Sequence, residues 1–193
     1  AEIPSGQGFF CYANNGTATL NIPQSAKTTT SNSTFNRLAT TKNYDLKFRM
    51  SSSINPYYHE IKVVYDRKAT SKYDKGIDIP FIKSKVKGVP TVTFIDGNVK
   101  TIRNHINTGE ETVVMPLLIN AAIEGNYLFE LEGLFSTNDY SSAYIIDNVS
   151  NKQYAINDGE SVTMYLESEK SYDNYSLVLS KKKITPLSAL VDY

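Results

Sequence analysis

The sequence predicts an all-β protein, an antiparallel β-sandwich or jelly-roll-like module with little helix. Three observations predict it. Apolar residues recur at every second position in short runs, and turn-forming pairs such as Asp-Gly separate those runs. No stretch carries the 3.6-residue period of a helix of ordinary length. Composition agrees: 14 Tyr and 8 Phe carry the aromatic content of the 193 residues, and Trp is absent. Tyrosine alongside Thr, Val and Ile favours strands that are half buried and half wet.

Taken in chain order, Thr17–Ile22 is a short first candidate strand. "YDLKFRM" places Tyr44, Leu46, Phe48 and Met50 on one face and Asp45, Lys47 and Arg49 on the other. "HEIKVVYD" repeats the pattern with Ile61, Val63 and Tyr65. Thr91–Asp96 and Thr112–Leu118 are shorter candidates. "YLFELEG" sets Tyr127, Phe129 and Leu131 against Leu128, Glu130 and Glu132. Ala143–Asp147 follows, then "SVTMYLES" with Val162, Met164 and Leu166 inward, and "YSLVLS" with Tyr175, Leu177 and Leu179 inward. Such alternation gives each strand one dry face and one wet face, the pattern of antiparallel sheets. Asn14-Asn15-Gly16, Asn55-Pro56, Asp96-Gly97-Asn98, Glu124-Gly125-Asn126 and Asn157-Asp158-Gly159 supply the turns, because Asn, Asp and Gly tolerate φ > 0. Single helical turns are expected at most within Lys75–Lys85 and Asn120–Gly125. The Ser/Thr-rich stretch Ser25–Asn36 has no period and reads as a loop.

The length suits one domain: a module over 1–180, with 1–38 as the end of a truncated preceding unit and 181–193 as a tether. Lys plus Arg (20) and Asp plus Glu (20) cancel, so no global field draws the chain to nucleic acid or to an anionic membrane. The single cysteine, Cys11, excludes an intrachain disulfide and reads as a small buried hydrophobe. No apolar run approaches the roughly 20 residues that span a bilayer. The chain opens without a secretory signal, so Ala1 is expected to be a processed end or an engineered one.

No catalytic constellation stands out. Gly6-Gln7-Gly8 lacks the third glycine and the helix of a dinucleotide site. His59 and His105 are the only histidines, too few and too far apart for zinc, and read as satisfied or surface histidines. Glu130 and Glu132 point outward from an alternating strand and form no facing acid–base pair. Asp66, Asp74 and Asp78 share one loop-rich segment in which Gly76 permits a sharp turn. Calcium is the metal such oxygen ligands would hold. Interleaved Lys68, Lys72 and Lys75 make Asp–Lys pairing and turn capping the simpler reading. Tyr57, Tyr58, Tyr140 and Tyr172 stand beside Asn and Asp in expected loops. Aromatic faces flanked by polar groups suit sugar recognition, whose mark would be two or three coplanar rings on one face.

The order of these motifs resembles a β-rich module of Bacteroidetes cell-surface and secreted proteins, the kind that precedes the type IX secretion sorting domain. Ile3–Phe10 ("IPSGQGFF") is similar to that family's turn into an aromatic strand, and Tyr44–Met50 to the strand that follows. Val63–Asp78 matches at Tyr65, Ala69, Thr70, Tyr73, Asp74, Gly76 and Asp78. Gly125, Tyr127, Phe129 and Leu131 fill a later strand, and Ala143–Met164 resembles the closing pair with Asp147 in the family aspartate's place. The resemblance spans about Ile3 to Leu179. The family's upstream stretch and downstream sorting domain are missing, so a fragment of a longer chain is expected. The resemblance implies a non-catalytic, extracellular structural or adhesion module, without cofactor. Its partners would be other domains of the same polypeptide or surface-assembly proteins. The alternatives are a carbohydrate-binding module beside a polysaccharide-active enzyme, and a phage or filament subunit assembling through an open edge at Phe9–Tyr12.

Overall fold

Among the described residues, eleven strands hydrogen-bond in one mixed sheet that curls into a nearly closed, barrel-like sandwich. The computed structural model describes residues 19–26 and 45–182, except 67, 71, 108 and 135–139. The Ile3–Phe10 turn, Cys11, the edge at Phe9–Tyr12, most of the Ser25–Asn36 loop and the tether beyond Lys182 lie outside the described residues. The chain divides into two units, Ala1–Lys42 and Asn43–Tyr193. In the first, Gln24–Ala26 forms a single 3-10 turn, and residues 19–22 carry no strand where one was expected.

The strands of the second unit are β1 (Asp45–Ser52), β2 (Tyr58–Tyr65), β3 (Ile79–Pro80), β4 (Thr91–Asp96), β5 (Val99–Ile106), β6 (Thr112–Asn120), β7 (Gly125–Glu132), β8 (Ser142–Asp147), β9 (Gln153–Ala155), β10 (Ser161–Leu166) and β11 (Ser171–Ser180). Their order is β10-β7-β1-β2-β5-β4-β6-β11-β8-β9, with the two-residue β3 on β5. All pairings are antiparallel except β2 with β5, where Lys62 to Tyr65 run alongside Arg103 to Ile106. That pairing departs from the purely antiparallel expectation. β5 joins the β10-β7-β1-β2 layer to the β4-β6-β11-β8-β9 layer, and the edge strands β9 and β10 approach each other on the far side.

Alternation decides which face is dry. In β1, Leu46, Phe48 and Met50 are fully buried while Lys47 and Arg49 face water. Ile61 and Val63, Tyr127, Phe129 and Leu131, and Val162, Met164 and Leu166 fill the same interior from β2, β7 and β10. Val113, Met115, Leu117, Ile119, Ile145, Leu177 and Leu179 close it from the opposite layer. Phe48 stacks on Phe129 with ring centroids 5.8 Å apart, across the β1–β7 pairing. The outer face is polar and paired: Lys47 reaches Glu132 at 3.1 Å and Arg49 reaches Glu60 at 3.0 Å.

Between Lys75 and Lys85 the chain makes a Lys75–Asp78 bridge and then β3 instead of a helical turn. Gly76, at φ 88°, reverses the chain, and the Asp78 carboxylate holds the turn to β5. The Asn120–Gly125 stretch likewise bends without helix, and Tyr127 fastens it by donating its hydroxyl to the Ile123 carbonyl at 2.7 Å.

Candidate functional site

Registers set which loops share an end. Ser52 faces Tyr127, Leu166 faces Gly125, and both Thr91 and Ser171 face Asn120. The connections 53–57, 81–90, 121–124 and 167–170 therefore gather at one end of the sandwich. The β8–β9 turn, 148–152, joins them beyond the Tyr175–Asp147 pairing.

Side-chain bonds stitch these loops together. Ser52 Oγ donates to Asn126 O at 3.1 Å, and Asn55 Nδ2 donates to Gly88 O at 3.0 Å. Asn55 Oδ1 accepts the Tyr57 N–H at 2.9 Å, an Asx turn that aims the Tyr57 ring. The backbone at Gly88 passes so close that a Cβ there would sit 3.8 Å from that ring and 3.9 Å from Ile123. Tyr57, Gly88 and Ile123 thus meet at the surface. Tyr57 stays 41 % exposed, Ile54 43 % and Ile123 38 %. Ile82, Val86, Tyr58, Val149 and Tyr165 border the same connections and are also exposed. These large apolar side chains stand in water at one end of the sandwich.

Of the residues singled out for sugar recognition, Tyr57 and Tyr58 are open to solvent at this end. Tyr58 carries Arg49 4.9 Å from its ring centroid. Tyr172 is half-buried on β11, its hydroxyl accepting the Glu167 N–H at 2.9 Å, with Lys170 over its ring at 5.2 Å. Tyr140 corrects the expectation. It is 3 % exposed, stacks on Tyr65 at 6.0 Å and points its hydroxyl at the Asn107 and Glu110 carbonyls. The core takes this ring because Tyr65 and the chain around Asn107 close over it, so it offers no face to a ligand. The four tyrosines do not make one platform.

Asp66, Asp74 and Asp78 do not gather into a ligand set. Asp66 accepts the Lys68 N–H at 2.9 Å. Asp74 accepts the Thr70 N–H at 2.6 Å and the Thr70 hydroxyl at 3.1 Å. Asp78, whose side chain is wholly buried, accepts the Asp74 N–H at 2.8 Å and the His105 N–H at 2.7 Å. His105 Nδ1 lies 3.0 Å from the same Asp78 oxygen and donates to it in the tautomer that carries its proton there. The carboxylates are thus engaged as fasteners of the loop, by capping and not by pairing with the interleaved lysines. Among the described residues, no three His, Cys, Asp or Glu side chains are placed to hold a metal.

The other histidine is also satisfied. His59 Nδ1 faces the Val92 N–H at 3.5 Å, its ring meets Phe81 edge-on at 5.6 Å, and burial lowers its pKa. Asp147, the last residue of β8, is held well below the ordinary carboxylate range, at about 2. The Ser150 hydroxyl, the Val149 N–H and the Asn174 amide all donate to it. A cleft between Lys72–Tyr73 and strands β4 to β6, lined also by Asp96, Thr101 and Asn104, has about 20 Å³ of room, enough for about one water.

Sequence reasoning missed Ile54, Ile82, Val86 and Ile123. The signal was present in "FIKSKVKGVP" (Phe81–Pro90), where apolar residues and lysines interleave with no acidic residue among them. No family model, curated protein or solved structure matches this chain.

Proposed function

We propose that this chain is a non-catalytic module, structural or adhesive, of a large extracellular protein of the type IX-exported kind that its motif order resembles. The observation that carries the reading is the loop end. Eight of the ten large apolar side chains exposed among described residues 45–182 lie on or beside its five connections. Loops at one end of a sandwich, held by a rigid two-layer core, are the usual place for such a module to meet a partner. The partner would be another domain of the same polypeptide or a protein of the surface assembly. Calcium has no supporting ligand set in this reading, and sugar recognition retains only Tyr57 and Tyr58 at this end. The test is protease accessibility on intact cells of the source organism. Cleavage of the chain without lysis supports surface display. Protection until the cells are broken refutes it.

A further inference from the structure

The loop between β3 and β4 interleaves exposed apolar residues with lysines. Both of its feet are fixed. The Phe81 N–H donates to Lys100 O at 2.8 Å while its ring packs against His59, and Gly88 O accepts from Asn55. Between them Ile82 to Lys87 project, every residue exposed, with Ile82 at 65 % and Val86 at 54 %. Ser84 Oγ accepts the Val86 N–H at 3.1 Å and turns the tip back on itself. Lys83, Lys85 and Lys87 alternate with these apolar residues, and none of the three forms an ion pair with a described carboxylate.

Three ammonium groups with no described carboxylate beside them select an anionic partner. The zero net charge of the whole chain does not weaken this, because screening limits each group's reach to about 8–10 Å at physiological salt. The isoleucine and valine between them narrow the choice. A hydrated acidic polysaccharide gives them nothing to enter, whereas a lipid surface offers phosphates above an apolar layer. Ile54, Tyr57 and Ile123, gathered where the loop's second foot is anchored, extend the apolar contact. We infer that the Ile82–Lys87 loop docks the module on an anionic lipid surface, the lysines engaging headgroup phosphates while Ile82 and Val86 enter the headgroup–acyl boundary. This rests on the adhesive reading above and adds a lipid surface to the protein partners named there.

The experiment is co-sedimentation of the full chain with phosphatidylcholine vesicles that either contain or lack phosphatidylglycerol. Binding is expected only to the anionic vesicles, falling as salt rises. Lys83→Gln, Lys85→Gln and Lys87→Gln together should weaken it on the order of 100-fold. Ile82→Ser with Val86→Ser should also weaken it, while circular dichroism shows the fold kept, since all five side chains are solvent-exposed. Equal binding to both vesicle types overturns the inference, as does no binding to either. Loss with the lysine variant but none with the serine variant also overturns it, for the partner would then be any polyanion. If vesicle binding fails while the chain is still cleaved on intact cells, the lipid assignment falls and the adhesive reading stands.

Discussion

Replacing Gly133 with alanine tests how closely β7 leaves the sheet past β1. Gly133 follows the last residue of β7 at φ 99°, a conformation that L side chains rarely adopt. A Cβ there would lie 2.8 Å from the carbonyl oxygen of Asp45 and 3.7 Å from Leu46 Cα. Both neighbours are backbone at the start of β1, paired to β7 from Lys47–Glu132 onward, so neither can swing aside as a side chain would. The left-handed backbone costs an alanine about 1–2 kcal/mol. Forcing the strands apart adds about 1–3 kcal/mol, and the stiffer unfolded chain returns about 0.4–1 kcal/mol. The net expectation is a loss of about 2–4 kcal/mol. Gly159→Ala is the internal control: φ is 80°, and nothing lies within 4 Å of the added methyl. It carries the backbone cost alone, about 0–1.6 kcal/mol after the unfolded-state gain. Urea unfolding followed by tyrosine fluorescence measures both, with the slope checked for constancy. If the two variants lose the same stability within about 0.5 kcal/mol, the close approach to Asp45 does not exist in solution and the reasoning fails.

Three further substitutions probe the fastenings of the loops. Tyr127→Phe removes the buried hydroxyl that donates to Ile123 O and faces the Ile123 N–H, and should lower unfolding stability by about 1–2 kcal/mol; an unchanged urea midpoint would contradict it. Asp78→Ala strips the acceptor from His105 N, His105 Nδ1 and Asp74 N together, and should cost about 2–4 kcal/mol with faster amide exchange at His105 and Asp74. Unchanged exchange there would show that the loop is held by something else. Asp147 titrates at about 2 when folded against an ordinary 3.8, so its contribution is complete above the unfolded value and is lost as pH falls through the folded one. The wild type should therefore lose melting temperature more steeply than Asp147→Asn between about pH 4 and pH 2, by a small margin because the carboxylate is solvated; parallel profiles would refute the assignment.

Strands with one wet face declared themselves in the sequence, because burial of every second residue is a local pattern that needs no knowledge of the partner. Thus β1, β2, β7 and β10 could be drawn with the correct face inward from Leu46, Ile61, Tyr127 and Val162 onward. β5 could not. "VKTIRNHI" buries Thr101, Asn104 and His105, and a strand that puts polar side chains inside does not alternate in hydrophobicity. Its burial is tolerable because a carboxylate 27 positions upstream meets His105, a long-range fact absent from any short window. The same strand makes the parallel pairing that joins the two layers, so the element without a sequence pattern is also the one that sets the topology. Tyr57 and Tyr140 show the same division at the candidate site. Both sit beside turn residues, yet Tyr57 is held at the surface by its own Asn55, whereas Tyr140 is drawn inward by Tyr65, 75 positions away. The basic loop was hidden for another reason: summing charge over the chain erased Lys83, Lys85 and Lys87, although what a neighbouring surface feels is the field within one Debye length of the loop. The lipid-docking proposal therefore rests on local charge and local exposure together, and neither total composition nor net charge contains that information.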